Sequence, residues 1–302
     1  MPNRLLLELS ERPSFKRLLV SRSLTRRVVE RFVPGESIDD GIRAANETRA
    51  WGADAILDYL GENVSTENQA DDAAALYSRI LDRIAVEAPS AHISVKLTQL
   101  GLDQSFDRCL ERLEKLCARA SEIGTTVAID MESHEYTDRT LEVFRRLRTL
   151  SDNVVLCLQA YLRRTQEDVA SLLPLDPVIR LCKGAYNEPP EISLGREETR
   201  TAYRHLVATL MRHAPKTAIA THDEHLITHV LRLSRRYRLP PDRFEFQMLY
   251  GVRREVQHIL AREGFKVRVY IPFGTEWYAY LMRRLAERPA NLRLFAAALL
   301  RG

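Results

Sequence analysis

The chain has 302 residues, 45% of them hydrophobic, so it is long enough for one large domain or two modest ones. Its formal charge is +4, from 45 basic and 41 acidic residues spread along the chain, and we therefore predict no nucleic-acid partner. No apolar run reaches the roughly 18 residues of a membrane span, and charge interrupts the N-terminal apolar run too early for a signal peptide. We expect a cytoplasmic protein.

Residues 1–35 are predicted to form an N-terminal helical arm, and 36–302 a single domain. Within the arm, 31–36 contains Pro34 and Gly35, which favour a short lead-in over a barrel strand. The domain alternates short apolar, β-branched runs with longer segments of helical period. The predicted strands are, in chain order, 55–60, 92–97, 126–131, 154–159, 178–183, 217–222, 244–249 and 267–271.

Most of these runs are apolar on both faces, and most are separated by enough residues for a crossover helix. Strands buried on both faces and joined by helices indicate a parallel sheet. Eight such units predict a closed α/β fold, the (β/α)₈ barrel. An open doubly wound sheet is the alternative that the pattern alone leaves open.

Polar side chains interrupt or end seven successive predicted strands. They are Lys96, Asp130, Gln159, Arg180, Lys183, Thr221, His222, Gln247 and Tyr270. The C-terminal strand ends of such a barrel build its active site, and an unpaired buried charge is costly without a partner or a ligand. Each residue alone is explained as well by a local ion pair. Because the set leans cationic, we expect the mouth to take an anionic ligand.

The last predicted helix carries Tyr280, Arg283, Arg284 and Glu287 at i, i+3, i+4 and i+7, which places them on one helix face. Glu287 can hold Arg283 by an ion pair, and the two guanidinium groups can then bind a carboxylate or phosphate in bidentate fashion. A solvated face with an ordinary ion pair is the alternative. The helix follows the eighth strand directly, where it can cap the barrel mouth.

Other sequence signals are negative. The chain contains no G-x-G dinucleotide fingerprint and no phosphate loop. The four cysteines show neither a CxxC pair nor zinc spacing, and we interpret Cys157 and Cys182 as buried reduced thiols. His225 and His229 are spaced i,i+4, but His222 ends a strand, so we predict no metal site.

Several longer motifs resemble the monofunctional, FAD-dependent proline dehydrogenase family over roughly residues 30–292. The matching stretches are Leu60-Gly-Glu62, Val95-Lys96-Leu97, Asp130-Met131-Glu132, Arg180-Leu-Cys-Lys-Gly-Ala-Tyr186, Ala220-Thr-His-Asp223, Phe244-Glu-Phe-Gln-Met-Leu-Tyr-Gly251 and Tyr280-x-x-Arg283-Arg284-x-x-Glu287. The resemblance implies a distorted (β/α)₈ barrel whose last helix lies over the mouth, and FAD bound without a Rossmann fold.

The resemblance also implies residue roles. Asp130 and Arg180 correspond to catalytic residues, with Arg180 against the reactive edge of the flavin. Arg283 and Arg284, with Lys96 as a third cation and Glu287 as a supporting ion pair, correspond to the clamp on the proline carboxylate. Leu249, Tyr270 and Tyr280 correspond to the wall around the proline ring. The flavin contacts correspond to Met131, Gln159, Arg180, Lys183, Gly184, Ala185, Thr221 and His222.

The implied reaction is oxidation of L-proline to Δ¹-pyrroline-5-carboxylate, the first step of proline catabolism, with electrons passed to a quinone. That acceptor implies peripheral contact with the inner face of the cell membrane. Asp223 stands where the family resemblance leads us to expect Asn. Other flavin substrates, such as hydroxyproline or a folate, and a non-enzymatic barrel that binds nucleotides through its arginines, are the alternatives. The sequence identifies no base for the substrate amine and no oligomeric state.

Overall fold

The computed structural model describes residues 29–61, 64–278 and 280–282. Eight parallel strands form one closed barrel in which each strand pairs with its neighbours in chain order and β8 pairs with β1. The strands are β1 (Asp54–Tyr59), β2 (His92–Val95), β3 (Val127–Ile129), β4 (Val154–Gln159), β5 (Val178–Cys182), β6 (Lys216–Ala220), β7 (Phe244–Leu249) and β8 (Val267–Phe273). The predicted (β/α)₈ barrel is confirmed, and the open-sheet alternative is excluded.

All eight predicted strands are present, although several end at different residues. β4 and β7 have the predicted bounds, whereas β2 and β3 are shorter. β3 ends at Ile129, yet the Asp130 amide still donates to the Val95 carbonyl at 2.9 Å. The strand direction therefore continues into Asp130 and aims its side chain into the barrel mouth.

Helices surround the barrel. They are α1 (Ile38–Ala50), α2 (Glu67–Glu87), α3 (Phe106–Glu122), α4 (Thr137–Arg148), α5 (Thr165–Leu172), α6 (Arg196–His213), α7 (Glu224–Tyr237) and α8 (Arg254–Arg262). Several of these helices begin with a side-chain cap. Ser37, Thr66 and Ser105 each accept a hydrogen bond from a first-turn amide of the helix they precede. The apolar helix faces and the outward strand residues form the main core.

The N-terminal ends of the strands hold an ion cluster that closes the bottom of the barrel. Glu245, the second residue of β7, accepts from Arg268 Nε at 3.0 Å and lies 3.0 Å from Lys216 Nζ. Gln247 donates to Glu245 at 2.7 Å, which ties its amide nitrogen to this basal ion cluster, while its buried amide oxygen has no partner among the described residues. Arg268 also donates to the carbonyl oxygens of Ala55 and Ser90, at 3.2 and 2.9 Å. These contacts satisfy the charges locally and leave the opposite end of the barrel for a ligand.

The segment before α1 is not a barrel strand, as predicted from Pro34 and Gly35. A helix begins at Trp277, after β8, and Trp277 packs with Tyr280, Phe32, Val33 and Leu60. Its continuation, and most of the predicted N-terminal arm, lie outside the described residues. The division into an arm (1–35) and a catalytic domain (36–302) therefore stays a prediction.

Candidate active site

Four charged side chains from four strands meet inside the barrel mouth. Asp58 lies in β1, Lys96 directly follows β2, Asp130 follows β3, and Arg180 lies in β5. We call these four the charge cluster. Two of them are almost fully buried, since Asp58 is 1% exposed and Arg180 is 4% exposed. Two acids and two bases balance formally, which is the condition under which such charges are tolerated away from water.

Asp130 is the centre of the charge cluster. One carboxylate oxygen accepts from Arg180 Nη1 at 2.5 Å and from Ser94 Oγ at 2.7 Å. The other accepts from the Tyr270 hydroxyl at 2.6 Å and lies 3.6 Å from Lys96 Nζ. Burial alone would raise the pKa of Asp130, but Arg180 and Lys96 lower it below its usual value. The carboxylate is thus held ionised, and it fixes one nitrogen of Arg180.

Asp58 fixes the second cation. Its carboxylate accepts from Lys96 Nζ at 3.0 Å. Burial raises the pKa of Asp58, and the negative charge of Asp130 raises it further, against the effect of Lys96. Burial would lower the pKa of Lys96, but Asp58 and Asp130 together raise it well above its usual value. Lys96 is therefore a charged ammonium group at the mouth, available to a carboxylate ligand.

Tyr270 and Leu249 form an apolar wall next to the charge cluster. The two residues are Cα partners in the pairing of β7 with β8. The Arg180 guanidinium carbon lies 5.4 Å from the centre of the Tyr270 ring, within the range of a cation–π contact. Tyr280 is 6% exposed and packs against Leu60, which follows β1 at the same end of the barrel.

Two nitrogens of Arg180 have no hydrogen-bond partner in the described part of the chain. They are Nε and Nη2, and both are inaccessible to solvent. Unsatisfied buried donors are uncommon and costly, and they are frequently found where a ligand binds. Because Asp130 fixes Nη1, the other two nitrogens are free to donate to acceptor atoms of a bound group.

A second group of predicted site residues lies at the ends of β4 and β5. The Gln159 amide donates to the Glu132 carbonyl at 2.9 Å and accepts from the Ala185 amide at 3.3 Å. Gly184 has φ of +122°, and a Cβ there would lie 2.1 Å from the Tyr161 ring. The turn after β5 therefore requires glycine, and Gln159 holds its backbone.

Glu188 anchors the rest of the β5–α6 loop. Its carboxylate accepts from the His134 amide at 2.9 Å and contacts His134 Nδ1 at 2.5 Å. It also accepts from the Tyr161 hydroxyl at 3.3 Å. The loop that carries Lys183, Gly184 and Ala185 is thereby tied to the loops after β3 and β4.

Lys183 forms an ion pair with Asp223, at 2.7 Å between Nζ and Oδ2. Asp223 is the N-cap of α7, where it accepts from the His225 amide at 3.0 Å, and Arg200 Nε lies 3.4 Å away. Burial opposes ionisation of Asp223, but Lys183 lowers its pKa to about 2. The Asp at this position thus adds a permanent negative charge beside Lys183.

Thr221 and His222 lie just past the end of β6. Thr221 Oγ1 accepts from the Asp223 amide at 3.2 Å. His222 Nε2 accepts from the Leu249 amide at 2.9 Å, so this nitrogen carries no proton. His225 and His229 lie on α7, and no group of three metal-ligating side chains occurs among the residues that the structure describes.

The structure brings most of the predicted site residues to one end of the barrel. Lys96, Asp130 and Arg180 belong to the charge cluster, and Leu249 and Tyr270 lie next to it. A second set lies at or just after the C-terminal ends of β3 to β6: Met131, Gln159, Lys183, Gly184, Ala185, Thr221 and His222. Arg283, Arg284, Glu287 and the motif residue Glu62 lie outside the described residues.

The sequence reasoning missed Asp58 and Ser94. Both lie in predicted strands, at 1% and 0% exposure. Asp58 had the same signal as Lys96 and Asp130, a charge in a strand buried on both faces, and that signal could have identified it. Ser94 gave no comparable signal, because serine carries no charge whose burial would require a partner.

Comparisons with known proteins agree with this geometry. The family model described as "Proline dehydrogenase" matches residues 42–296. Among similar curated proteins, "Proline dehydrogenase" of Deinococcus radiodurans is 37% identical, with 98% of this chain and 97% of that protein covered. "Proline dehydrogenase 1" of Bacillus subtilis subsp. natto is 37% identical over 279 residues, 92% of this chain and 91% of that protein.

A solved structure is also similar. Proline utilization A of Bdellovibrio bacteriovorus superposes with a TM-score of 0.81 at 26% identity over 86% of this chain. The chain spans about a third (32%) of the length of that larger protein. The barrel, the charge cluster at its mouth and these relatives together show that this chain belongs to the proline dehydrogenase family.

Proposed function

We propose that this protein oxidises L-proline to Δ¹-pyrroline-5-carboxylate, the first step of proline catabolism, with FAD as the hydride acceptor. The observation that carries the proposal is the charge cluster, which presents a charged lysine and a partly unsatisfied arginine at one barrel mouth. Family membership and the relatives named above support the same reaction.

The substrate carboxylate is proposed to bind Lys96. Asp58 and Asp130 keep this ammonium group charged, and its side chain is 16% exposed, so it can reach a ligand. By resemblance, Arg283 and Arg284 complete the carboxylate clamp and Glu287 holds Arg283. A charge-assisted hydrogen bond of this kind contributes about 1.5–3 kcal/mol, and several of them fix the orientation of a small amino acid. Leu249, Tyr270 and Tyr280 then enclose the ring.

The residues present fit a flavin. Arg180 offers two buried nitrogens without a partner among the described residues, and Lys183 adds a cation at the end of β5. Gln159 orders the turn whose Gly184 leaves the backbone open to close approach. FAD, when bound, would supply the two-electron acceptor that takes the hydride from the carbon next to the ring nitrogen. We propose Met131, Thr221 and His222 as further contacts.

In this scheme the side chains orient the substrate and the cofactor, and they perform little covalent chemistry. Asp130 orients Arg180, while Ser94 and Tyr270 fix Asp130 itself. A group held by three hydrogen bonds pays little reorganisation cost when charge develops nearby. The substrate nitrogen must lose its proton before the hydride leaves, and solvent at the mouth is the proposed acceptor.

The experiment is a visible spectrum of the purified protein, reconstituted with FAD and then mixed with proline without oxygen. A yellow protein whose flavin bands bleach with proline supports the proposal. A preparation that takes up no FAD contradicts it. Hydroxyproline and a folate in parallel separate the alternative flavin substrates, because only the true substrate reduces the cofactor rapidly.

Two variants distinguish the proposed roles of Arg284 and Arg180. Arg284→Met should raise the KM for proline on the order of ten- to a hundredfold, because a charge-assisted contact is lost. Arg180→Met should instead lower kcat or FAD retention. An unchanged KM would show that Arg284 does not bind the proline carboxylate. Normal FAD reduction in Arg180→Met would show that Arg180 does not act at the reactive edge of the flavin.

Quinone is the proposed electron acceptor, reached by peripheral contact with the inner face of the cell membrane. The support is the family resemblance. None of the helices in the described part of the chain combines the length and the apolar composition needed to cross a bilayer. Proline-dependent reduction of a short-chain quinone, with and without lipid vesicles, tests both statements. Failure of the proline-reduced enzyme to reduce the quinone contradicts the first, and an equal rate without vesicles contradicts the second.

A further inference from the structure

Two of the four cysteines meet inside the barrel mouth. Cys157 in β4 and Cys182 in β5 have their sulfur atoms 3.8 Å apart. Cys157 is 7% exposed, and Cys182 is more exposed. We call these two residues the thiol pair. Cys182 is the Cα partner of Gln159 and directly precedes Lys183, so the pair lies among the proposed flavin contacts.

The surroundings of Cys157 favour its ionisation. The thiol of Cys182 lowers the pKa of Cys157, and the nearby charge of Arg180 lowers it further, against the effect of burial. The other two cysteines lie on α3, where burial raises the pKa of Cys109 and of Cys117 to about 12. The Cys157 thiol and burial raise the pKa of Cys182 well above its usual value. Because the thiolate is the reactive form, Cys157 is the nucleophile of the pair, and the two α3 thiols are inert by comparison.

The geometry of the thiol pair suits a bridging atom better than a disulfide. Cys157 is opposite Arg180 in the ladder, so Cys182 lies two residues further along the neighbouring strand. At ordinary strand spacing this diagonal separates the Cα atoms by about 7–8 Å, beyond the usual reach of a disulfide. By contrast, two metal–sulfur bonds of about 2.3 Å that meet at one tetrahedral atom hold their sulfur atoms about 3.8 Å apart.

The number of protein ligands argues against a zinc ion. A structural zinc site needs four protein ligands, and no group of three candidate ligands occurs in residues 29–61, 64–278 and 280–282. A trivalent arsenic atom needs only two sulfur ligands from the protein, because its own organic substituent fills the third valence. Bonds from arsenic to sulfur are of about the same length as those from zinc. The bonds of trivalent arsenic are pyramidal, with angles below the tetrahedral value, so the bridge draws the two sulfur atoms slightly closer than they lie in the structure.

We propose that the thiol pair is a binding site for trivalent arsenicals, which bridge Cys157 and Cys182 inside the barrel mouth and exclude the cofactor. The reaction is a condensation without electron transfer. Each sulfur forms one bond to arsenic, the arsenic–oxygen bond is lost, and the two thiol protons leave with that oxygen as water. The exclusion of FAD rests on the function proposed above, whereas the bridging itself does not.

The test treats the full-length protein, freed of flavin, with phenylarsine oxide. Remaining thiols are then alkylated under denaturing conditions, and the peptides are identified by mass spectrometry. We expect one phenylarsenic group per chain, with Cys157 and Cys182 protected and Cys109 and Cys117 alkylated. Protection is lost on addition of a competing dithiol. An adduct on the α3 cysteines, or none, overturns the proposal.

Matched serine variants add an affinity measurement. Cys182→Ser should weaken arsenical binding about a hundredfold or more, because the second bond is no longer intramolecular. Cys109→Ser makes the same change at an inert thiol and should bind as the wild type does. Equal affinity of Cys182→Ser and wild type overturns the bridge. The peptide map of the wild type does not depend on whether either variant folds.

A last measurement examines cofactor exclusion. FAD binding is followed by fluorescence before the arsenical is added, so binding is known independently. Bound FAD should slow the modification at least tenfold. If FAD binds and the rate is unchanged, the pair does not share the cofactor pocket. If FAD does not bind, the proposed function fails, while the bridging reaction of the flavin-free protein still decides whether the site exists.

Discussion

Replacement of Asp130 by Asn tests the charge cluster most directly. The change keeps the shape of the side chain but removes the negative charge that faces Arg180 and Lys96. Arg180 is 4% exposed, so its charge cannot be hydrated in compensation. Loss of one partner from a buried ion pair costs about 3–5 kcal/mol, and we expect Asp130→Asn to lower the free energy of unfolding by about this amount at neutral pH.

The destabilisation caused by Asp130→Asn should depend on pH in a defined direction. The folded protein lowers the pKa of Asp130 below the value of 3.8 expected for the unfolded chain. The stabilisation from Asp130 is therefore fully present above that value and is lost as the pH falls through the folded pKa. The difference between wild type and Asp130→Asn should be largest near neutral pH and should shrink in acid below about pH 4.

Urea unfolding at a series of pH values measures both quantities. Asp242→Asn is the matched control, because it makes the same change at an exposed position and should alter stability by less than about 0.5 kcal/mol. An Asp130→Asn variant as stable as the wild type would refute the buried ion pair. So would a destabilisation that stays constant from neutral pH into acid.

Three further predictions concern single positions. Lys96→Met should raise the KM for proline on the order of tenfold or more, because an ammonium contact to the carboxylate is lost, and steady-state kinetics would reveal an unchanged KM if the assignment is wrong. Gly184→Ala should weaken FAD binding, since φ of +122° costs about 1–3 kcal/mol for alanine and its Cβ would collide with Tyr161; wild-type affinity in a fluorescence titration would contradict this. Glu245→Gln should lower the free energy of unfolding by about 3–5 kcal/mol, because Arg268 loses its buried anion in the basal ion cluster. Its KM for proline, if the variant folds, should match that of the wild type, and a large change in KM would show that the two ends of the barrel are coupled.

The strands could be predicted from the sequence because their pattern is local. Each strand is a short run of apolar residues buried on both faces, and each is followed by a helix-period segment, so the period and the order predict a closed barrel. Lys96, Asp130 and Arg180 were identifiable because a charge within such a run has no local explanation. The ends of the shorter strands were less accurate, since pairing with the neighbours decides where a ladder stops.

Contacts between distant segments could not be predicted from the sequence. Lys96 binds Asp58 across 38 residues, Arg180 binds Ser94 across 86, and Tyr270 binds Asp130 across 140. The sequence shows that these side chains are polar, but closure of the barrel decides which of them come into contact. The thiol pair is a second case, because the register of β4 against β5 brings together two cysteines that have no motif spacing.

The sequence by itself determined the barrel, the end of it that carries the site, and several of the charged side chains there, because these depend on periodicity and residue type within short segments. Its expectation of a cationic excess was wrong for the charge cluster, because Asp58 was not among the predicted residues. Tertiary structure alone decided how that charge is balanced. Asp58 and Asp130 neutralise Lys96 and Arg180 only after eight strands close, since the electrostatic energy of a buried pair depends on a few ångströms that no local pattern specifies.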